Sequence, residues 1–203
     1  DLVLTERPWH AAELAQAAAA EGNTVVVAAG GDGTANEVIN GLMAVEPASR
    51  PMMAVLCVGR GNDLAYGMNI PTHLEPGLKT LLQGHQRLVD VGRVTGGLYP
   101  QGRYFGNGIG IGFDAVVGFV AKEMTWLRGF VSYLVAALET MFLYYKAPDV
   151  RIEYDGQVLT MPALMVSVMN GRRMGGGFMM APEARNDDGR FDLCIARQVS
   201  RLN

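Results

Sequence analysis

The stretch Thr24 to Ala29 (TVVVAA) runs without a break into Gly30-Gly31-Asp32-Gly33 and then into a helical pattern from about Thr34 to Met43. A continuous apolar run, as opposed to an alternating one, predicts a strand buried on both faces, the kind found in parallel sheets covered by helices. Met52 to Val58 (MMAVLCV) repeats the arrangement, with Gly59-Arg60-Gly61-Asn62 and a short helix from Asp63 after it. Leu2 to Leu4 reads as a further strand. Pro8 is placed to open a helix over Ala11 to Ala20 that Gly22 stops, and Leu74 to Leu82 reads as another helix. Strand and helix alternate for roughly the first 90 residues, which predicts an open parallel α/β domain over residues 1–92.

From residue 93 to 203 the pattern changes to a second, mainly antiparallel β domain. Arg87 to Val94, Tyr104 to Phe113, Asp149 to Tyr154, Gln157 to Met161, Ala163 to Met169 and Arg190 to Arg197 read as strands, and Asp155-Gly156 is a hairpin turn signal. One helical segment, about Asp114 to Tyr145, interrupts them. It sets Phe130, Leu134, Ala137, Leu138 and Met141 on one stripe. Core packing is the expectation for that stripe, and a lipid-facing patch is the functional alternative.

Composition narrows the function classes. The 203 residues are 49% hydrophobic and 18% charged, with a net charge of -3, a globular profile that gives nucleic acid no basic surface. Cys57 and Cys194 are far apart and outside any CxxC spacing, so reduced, buried thiols in a cytosolic protein are expected in place of a disulfide or a zinc site. The longest uncharged piece of the apolar helical segment, Gly129 to Leu138, is far short of the ~20 residues a spanning helix needs. No transmembrane segment or signal peptide is read. His10, His73 and His85 are scattered and take no role.

The two glycine turns carry the chemistry. At the carboxyl end of a parallel strand, glycines let backbone N–H groups converge on phosphate oxygens, and the following helix adds its orphan donors. Asp32 inside such a turn would repel bare phosphate, which calls for a cation or ordered water between them. The turn lacks the GK[ST] of a Walker A loop and the GxGxxG of a dinucleotide site. An ordinary tight turn with an Asp cap would also fit it. Two such turns on neighbouring strands could form opposite walls of one crevice. The alternating glycines Gly106, Gly108, Gly110 and Gly112 share one strand face, which indicates close approach of another backbone or of a ligand.

GGDGTANEVINGL resembles the nucleotide-binding signature of the diacylglycerol, sphingosine and ceramide kinase family. GRGNDLA is similar to that family's LPxGTxNDFA motif. Phe105 to Ala115 (FGNGIGIGFDA) resembles its FxNxxGxGFDA strand, and Gly175 to Asp192 its GGGxxxAPxAxxDDGxxD segment. The matches run in family order from Thr5 to Asp192. The resemblance implies an α/β nucleotide domain followed by a β-sandwich, and transfer of the ATP γ-phosphoryl group to a lipid hydroxyl, most readily that of diacylglycerol.

Carried over by position, the resemblance puts Thr5, Gly30, Gly31, Asp32, Gly33, Thr34, Ala35, Asn36 and Arg60 on ATP. It puts Asp32 and Asp63 in a catalytic network of water and Mg²⁺, and a structural Mg²⁺ on Asp188 with the main-chain oxygens of Arg185 and Arg190. The family's general base is an aspartate in a later segment, and no residue here matches it. The chain is therefore expected to lack that segment and the sheet's first strand. Two positions depart from the motif: Cys57 stands for Pro, and Arg60 stands for Thr. Arg60 would either add a phosphate contact or obstruct the pocket. The implied partner is a lipid at the membrane surface, met by a cytoplasmic, peripherally associated protein, with a homodimer left open. A sphingoid, ceramide or other lipid-alcohol kinase, an NAD kinase, and a relative that binds without catalysis are the alternatives.

Overall fold

The computed structural model describes residues 1–123, 130–143 and 147–197. Strands β1 (Val25–Gly30) and β2 (Met52–Cys57) pair in parallel, from Val25 opposite Met52 to Gly30 opposite Cys57. Helices α1 (His10–Ala20) and α2 (Asp32–Met43) cover one face, where Ala11, Ala15, Ala28, Val38 and Leu42 form one buried cluster. The alanine run makes this close contact with α2 feasible, since small side chains let the two helix backbones approach. Helix α3 (Asp63–Gly67) follows the second glycine turn, and α4 (Leu74–Gln83) packs on β2.

Several sequence expectations shift here. Leu2 to Leu4 forms no strand: all three side chains are exposed, and no described strand offers the segment a hydrogen-bond ladder. Pro8 lies in a turn before α1, because Trp9 takes a left-handed conformation (φ 68°) and the helix begins at His10. β1 is buried on one face only. Ala28 is covered by the helices, whereas Val25 and Val27 are each 41% exposed. α2 starts at Asp32, so half of the glycine turn is already the first turn of the helix.

In the second half, β3 (Gly92–Gly96) and β4 (Tyr99–Phe105) form a hairpin. The strand expected from Arg87 starts only at Gly92, because the preceding residues bond to a loop: Asp90 N–H donates to the Asn186 carbonyl at 2.7 Å. The strand expected over Tyr104 to Phe113 splits into β4 and β5 (Gly108–Gly112) at Gly106-Asn107, where the Asn107 carbonyl accepts the N–H groups of Asn170 and Gly171. β7 (Gln157–Met169) is one strand where two were expected. Its first half pairs with β6 (Asp149–Tyr154), and its second half runs between β5 and β10 (Asp192–Arg197). Pro162 sits where β7 passes from one set of partners to the other, so its missing N–H interrupts no continuous ladder. Asp155 (φ 46°) and Gly156 (φ 73°) make the hairpin turn between β6 and β7. Short strands β8 (Arg173–Met174) and β9 (Phe178–Met179) form a second small hairpin.

Helices α5 (Phe113–Glu123) and α6 (Phe130–Leu143) pack through Val117, Ala121 and Ala136. The expected core stripe is corrected here. Leu134 and Leu138 are 41% and 49% exposed, while Ala136 and Thr140 are fully buried. The small Ala136 lets α6 approach α5 closely and turns the leucines outward. The side chains of Phe130 and Met141, and residues 124–129 and 144–146 of the expected helix, lie outside the described residues.

Candidate active site

The two glycine turns meet backbone to backbone. A Cβ on Gly59 would lie 2.1 Å from the Gly31 Cα, so no larger residue fits at the contact. The turns therefore form one continuous floor, not two separated walls. Asp32, at the start of α2, turns away from its own helix. Its Oδ1 accepts the Leu64 N–H at 2.9 Å and so caps α3, one of whose orphan donors it satisfies. A Cβ on Gly61 would lie 2.9 Å from Asp32 Oδ2 and 3.7 Å from Asp63 Oδ2. Both carboxylates thus flank a single glycine.

Asp63 is 4% exposed, and its Oδ1 is met by charge without an aligned hydrogen bond. Arg173 Nε from β8 lies 2.8 Å from Asp63 Oδ1 as an ion pair, and the Gly176 N–H donates to Oδ2 at 2.7 Å. Arg173 also donates from Nη2 to the Gly61 carbonyl at 3.1 Å, and its guanidinium stands 3.9 Å from the Tyr66 ring centre. Burial pushes the Asp63 carboxyl above the ordinary range. The Gly176 N–H opposes that rise, the neighbouring Asp32 charge adds to it, and Arg173 opposes it again. Arg173 was not identified from the sequence. The double Arg of Asn170-Gly171-Arg172-Arg173 before the glycine run was the one available signal.

A cleft of about 380 Å³ opens beside the two turns, where α2 and α3 begin. Asp32, Gly33, Asn36 and Asp63 line one side, and Tyr104 to Gly110 line the other. Of the other expected nucleotide residues, Gly30 and Thr34 pack on each other beneath the turn, and Ala35 is buried against Ile39 and Leu64. Thr5 and Arg60 are exposed and do not line this cleft. The Asn36 side chain reaches across: its Nδ2 donates to the Tyr104 carbonyl at 3.0 Å. Asn40 binds both backbone groups of Tyr104, each at 2.9 Å, like a neighbouring strand. Asn170, fully buried, donates from Nδ2 to the carbonyls of Asp90 and Gly106. These asparagines join the two halves around the cleft, and sequence reasoning missed Asn40 and Asn170 because their partners lie more than 60 residues away.

The glycine row of β5 meets three different neighbours. Gly108 lies against Met169, Gly110 against the Asp114 carboxylate, and Gly112 against the Leu164 carbonyl. Asp114 accepts a hydrogen bond from Ser167 Oγ, and burial holds its carboxyl above the usual range. Both thiols are also pushed up by burial; Cys57 is buried and Cys194 half-buried.

Magnesium is expected at two places, the cleft and the 187–189 loop. Asp32 lines the cleft and its Oδ2 lies near Gly61, a carboxylate oxygen of the kind that meets a hydrated cation. Asp63 lines the same cleft, with its Oδ2 on the Gly176 N–H and its Oδ1 paired with Arg173. In the 187–189 loop, Asp188 Oδ1 accepts the Arg190 N–H, Asp187 pairs with Arg185, and the Gly189 N–H goes to Asp90 Oδ2. No group of three His, Cys, Asp or Glu residues converges among the described residues. The set expected at this loop is different, one carboxylate, Asp188, with the main-chain oxygens of Arg185 and Arg190, which are donors of the kind a hard cation takes.

Comparison with known proteins agrees with this organisation. Residues 1–94 match the diacylglycerol kinase catalytic domain, and residues 107–203 match the YegS C-terminal NAD kinase beta sandwich-like domain. Diacylglycerol kinases of Staphylococcus aureus strains JH9 and NCTC 8325 are 34% identical over 195 residues, which is 96% of this chain and 59% of each relative. A crystal structure of a diacylglycerol kinase from Bacillus anthracis Sterne superposes with a TM-score of 0.74 at 26% identity. It covers 98% of this chain and 63% of its own. The chain thus spans about three fifths of the length of these relatives. The two halves of the chain thus match, in order, the diacylglycerol kinase catalytic domain and the YegS C-terminal NAD kinase beta sandwich-like domain, and the relatives and the solved structure it resembles are bacterial diacylglycerol kinases.

Proposed function

We propose that this chain carries the nucleotide cleft of an ATP-dependent lipid kinase, which moves the γ-phosphoryl group of ATP to the hydroxyl of diacylglycerol. The observation that carries the reading is the Gly31–Gly59 contact, which brings together the two turns whose Asp32 and Asp63 both lie near Gly61 and line a cleft about 380 Å³ in volume. Residues 1–92 hold the nucleotide in this reading, and residues 93–203 present the lipid.

Phosphoryl transfer is mostly positioning and charge stabilisation. The backbone of Gly30 to Gly33 and the start of α2 offer N–H donors to phosphate oxygens. Magnesium, when bound with the nucleotide, neutralises charge on the phosphates. Asp32 would help hold that ion with its other carboxylate oxygen, while its Oδ1 stays fixed on the Leu64 N–H. Asp63 acts differently from Asp32: held by Arg173 and Gly176, it locks the second turn against β8 and keeps the cleft floor rigid.

The outward stripe of Val131, Leu134 and Leu138 on α6 supports work at a lipid surface. Among the described residues no helix is long and apolar enough to cross a membrane. In this reading the protein meets its substrate from the cytoplasmic face as a peripheral protein. The test offers the full-length protein γ-labelled ATP with diacylglycerol, ceramide, sphingosine and NAD in parallel. Label in phosphatidic acid is the expected result. Label only in NADP, or in none of the four, overturns the reading.

A further inference from the structure

The cleft holds two carboxylates, Asp32 and Asp63, yet a nucleotide triphosphate is a polyanion. Among the described residues lining the cleft one side chain is cationic, Arg103 on β4. Nothing in the glycine motifs points to it, because it comes from the opposite wall.

Arg103 is held in a set orientation. Its Nη2 and Nε donate to Asn36 Oδ1 at 3.0 and 3.3 Å, and its Nη1 donates to Tyr99 Oη at 3.2 Å. The guanidinium also lies 4.6 Å from the Trp9 ring centre and 5.2 Å from that of Tyr99. The next residue, Tyr104, is pinned by Asn40 through both its backbone groups, so the backbone beside Arg103 is fixed to α2. A guanidinium has five N–H donors, and these bonds occupy three. One N–H on each Nη is left over, on a half-buried group at the edge of the cleft. A planar fork with two remaining donors matches a phosphate's geometry, which a carbonyl or hydroxyl does not need. Asn36, expected from the motif as a direct nucleotide contact, has its oxygen and its amide nitrogen committed to Arg103 and Tyr104.

We propose that Arg103 is the cation that contacts a phosphate of the bound nucleotide from the β-domain side of the cleft, with Asn36 as the residue that positions it. This rests on the nucleotide-site reading above. It assigns the second domain a share of the phosphate charge.

The test uses the full-length protein and three variants: Arg103→Met, which keeps the stem packed on Trp9 and Tyr99, Arg103→Lys, and Asn36→Ala. Binding of ATP, inorganic tripolyphosphate and adenosine is measured by titration calorimetry, with thermal melts as a folding control. Loss of a charge-assisted contact should weaken ATP and tripolyphosphate about tenfold to a hundredfold in Arg103→Met and leave adenosine unchanged. Lys should recover part of the loss, because it restores charge without the fork. Asn36→Ala should fall between wild type and Arg103→Met for tripolyphosphate. Unchanged tripolyphosphate affinity in a folded Arg103→Met, or an equal loss for adenosine, overturns the assignment. A lipid-kinase assay on the wild type separates the two proposals. Arg103-dependent tripolyphosphate binding without transfer to any lipid leaves Arg103 standing and removes the lipid-kinase reading. Transfer to diacylglycerol with an indifferent Arg103→Met does the reverse.

Discussion

Replacing Arg173 by Met removes a guanidinium that is 18% exposed from a carboxylate that is 6% exposed, and puts an apolar chain of similar length over the Tyr66 ring. Asp63 then keeps one partner, the Gly176 N–H, and has no cation. Breaking a buried pair on one side costs roughly 3–5 kcal/mol, because the remaining charge is desolvated without compensation. The surviving Gly176 bond and the retained packing place this case at the low end, about 3 kcal/mol. For a chain of this size that corresponds to a fall in melting temperature of about 6–12 °C. Asp63→Asn on the Arg173→Met background removes the stranded charge, so the double variant should be more stable than Arg173→Met alone. Urea denaturation of the four proteins of the cycle measures the coupling, expected above about 1 kcal/mol for groups in contact. A single variant within 0.5 kcal/mol of wild type, the range of an ordinary surface change, would refute the claim that Arg173 clamps the second turn.

Asp32→Asn keeps the shape of the side chain and its bond to Leu64 but loses the charge facing the cleft. Lipid phosphorylation should fall about 100-fold or more, as for loss of a key electrostatic contact, with the melt little changed; activity within about threefold would sink the role. Gly59→Ala drives a methyl into Gly31 Cα, so the turns must part. ATP binding should be lost together with about 1–3 kcal/mol of stability, and calorimetry with normal affinity would contradict the shared floor. Asp114 has a folded-state carboxyl raised by burial above its unfolded value, so the folded state holds its proton longer and stability declines as pH rises from about 4 through the raised value. Asp114→Asn should flatten the urea midpoint across that window, and parallel pH curves for the two proteins would show that Asp114 does not titrate there. Leu134→Lys with Leu138→Lys should reduce sedimentation with phospholipid vesicles several-fold while leaving ATP binding intact; unchanged sedimentation would remove the α6 stripe from the lipid surface.

Local chemistry was legible without coordinates. The Asp155-Gly156 turn, the helix made by the alanine run, and the strand, glycine turn and helix order at Gly30 and Gly59 each depend on backbone sterics and propensities within a few residues. The two glycine turns also carried part of the family resemblance, because they lie in contiguous motifs. Burial was less legible: β1 looked like a strand covered twice, and the Leu134 stripe looked like core. An apolar side chain records that it tolerates burial, and which face a neighbour covers depends on what packs there. The site needed tertiary structure most. The Gly31–Gly59 contact, the Arg173 clamp on Asp63 across 110 residues, and the Arg103–Asn36 bond across 67 join segments that carry no mutual spacing in the chain. Charge and hydrogen-bond pairing act over a few ångströms of space, so only the folded arrangement decides which cation meets which carboxylate.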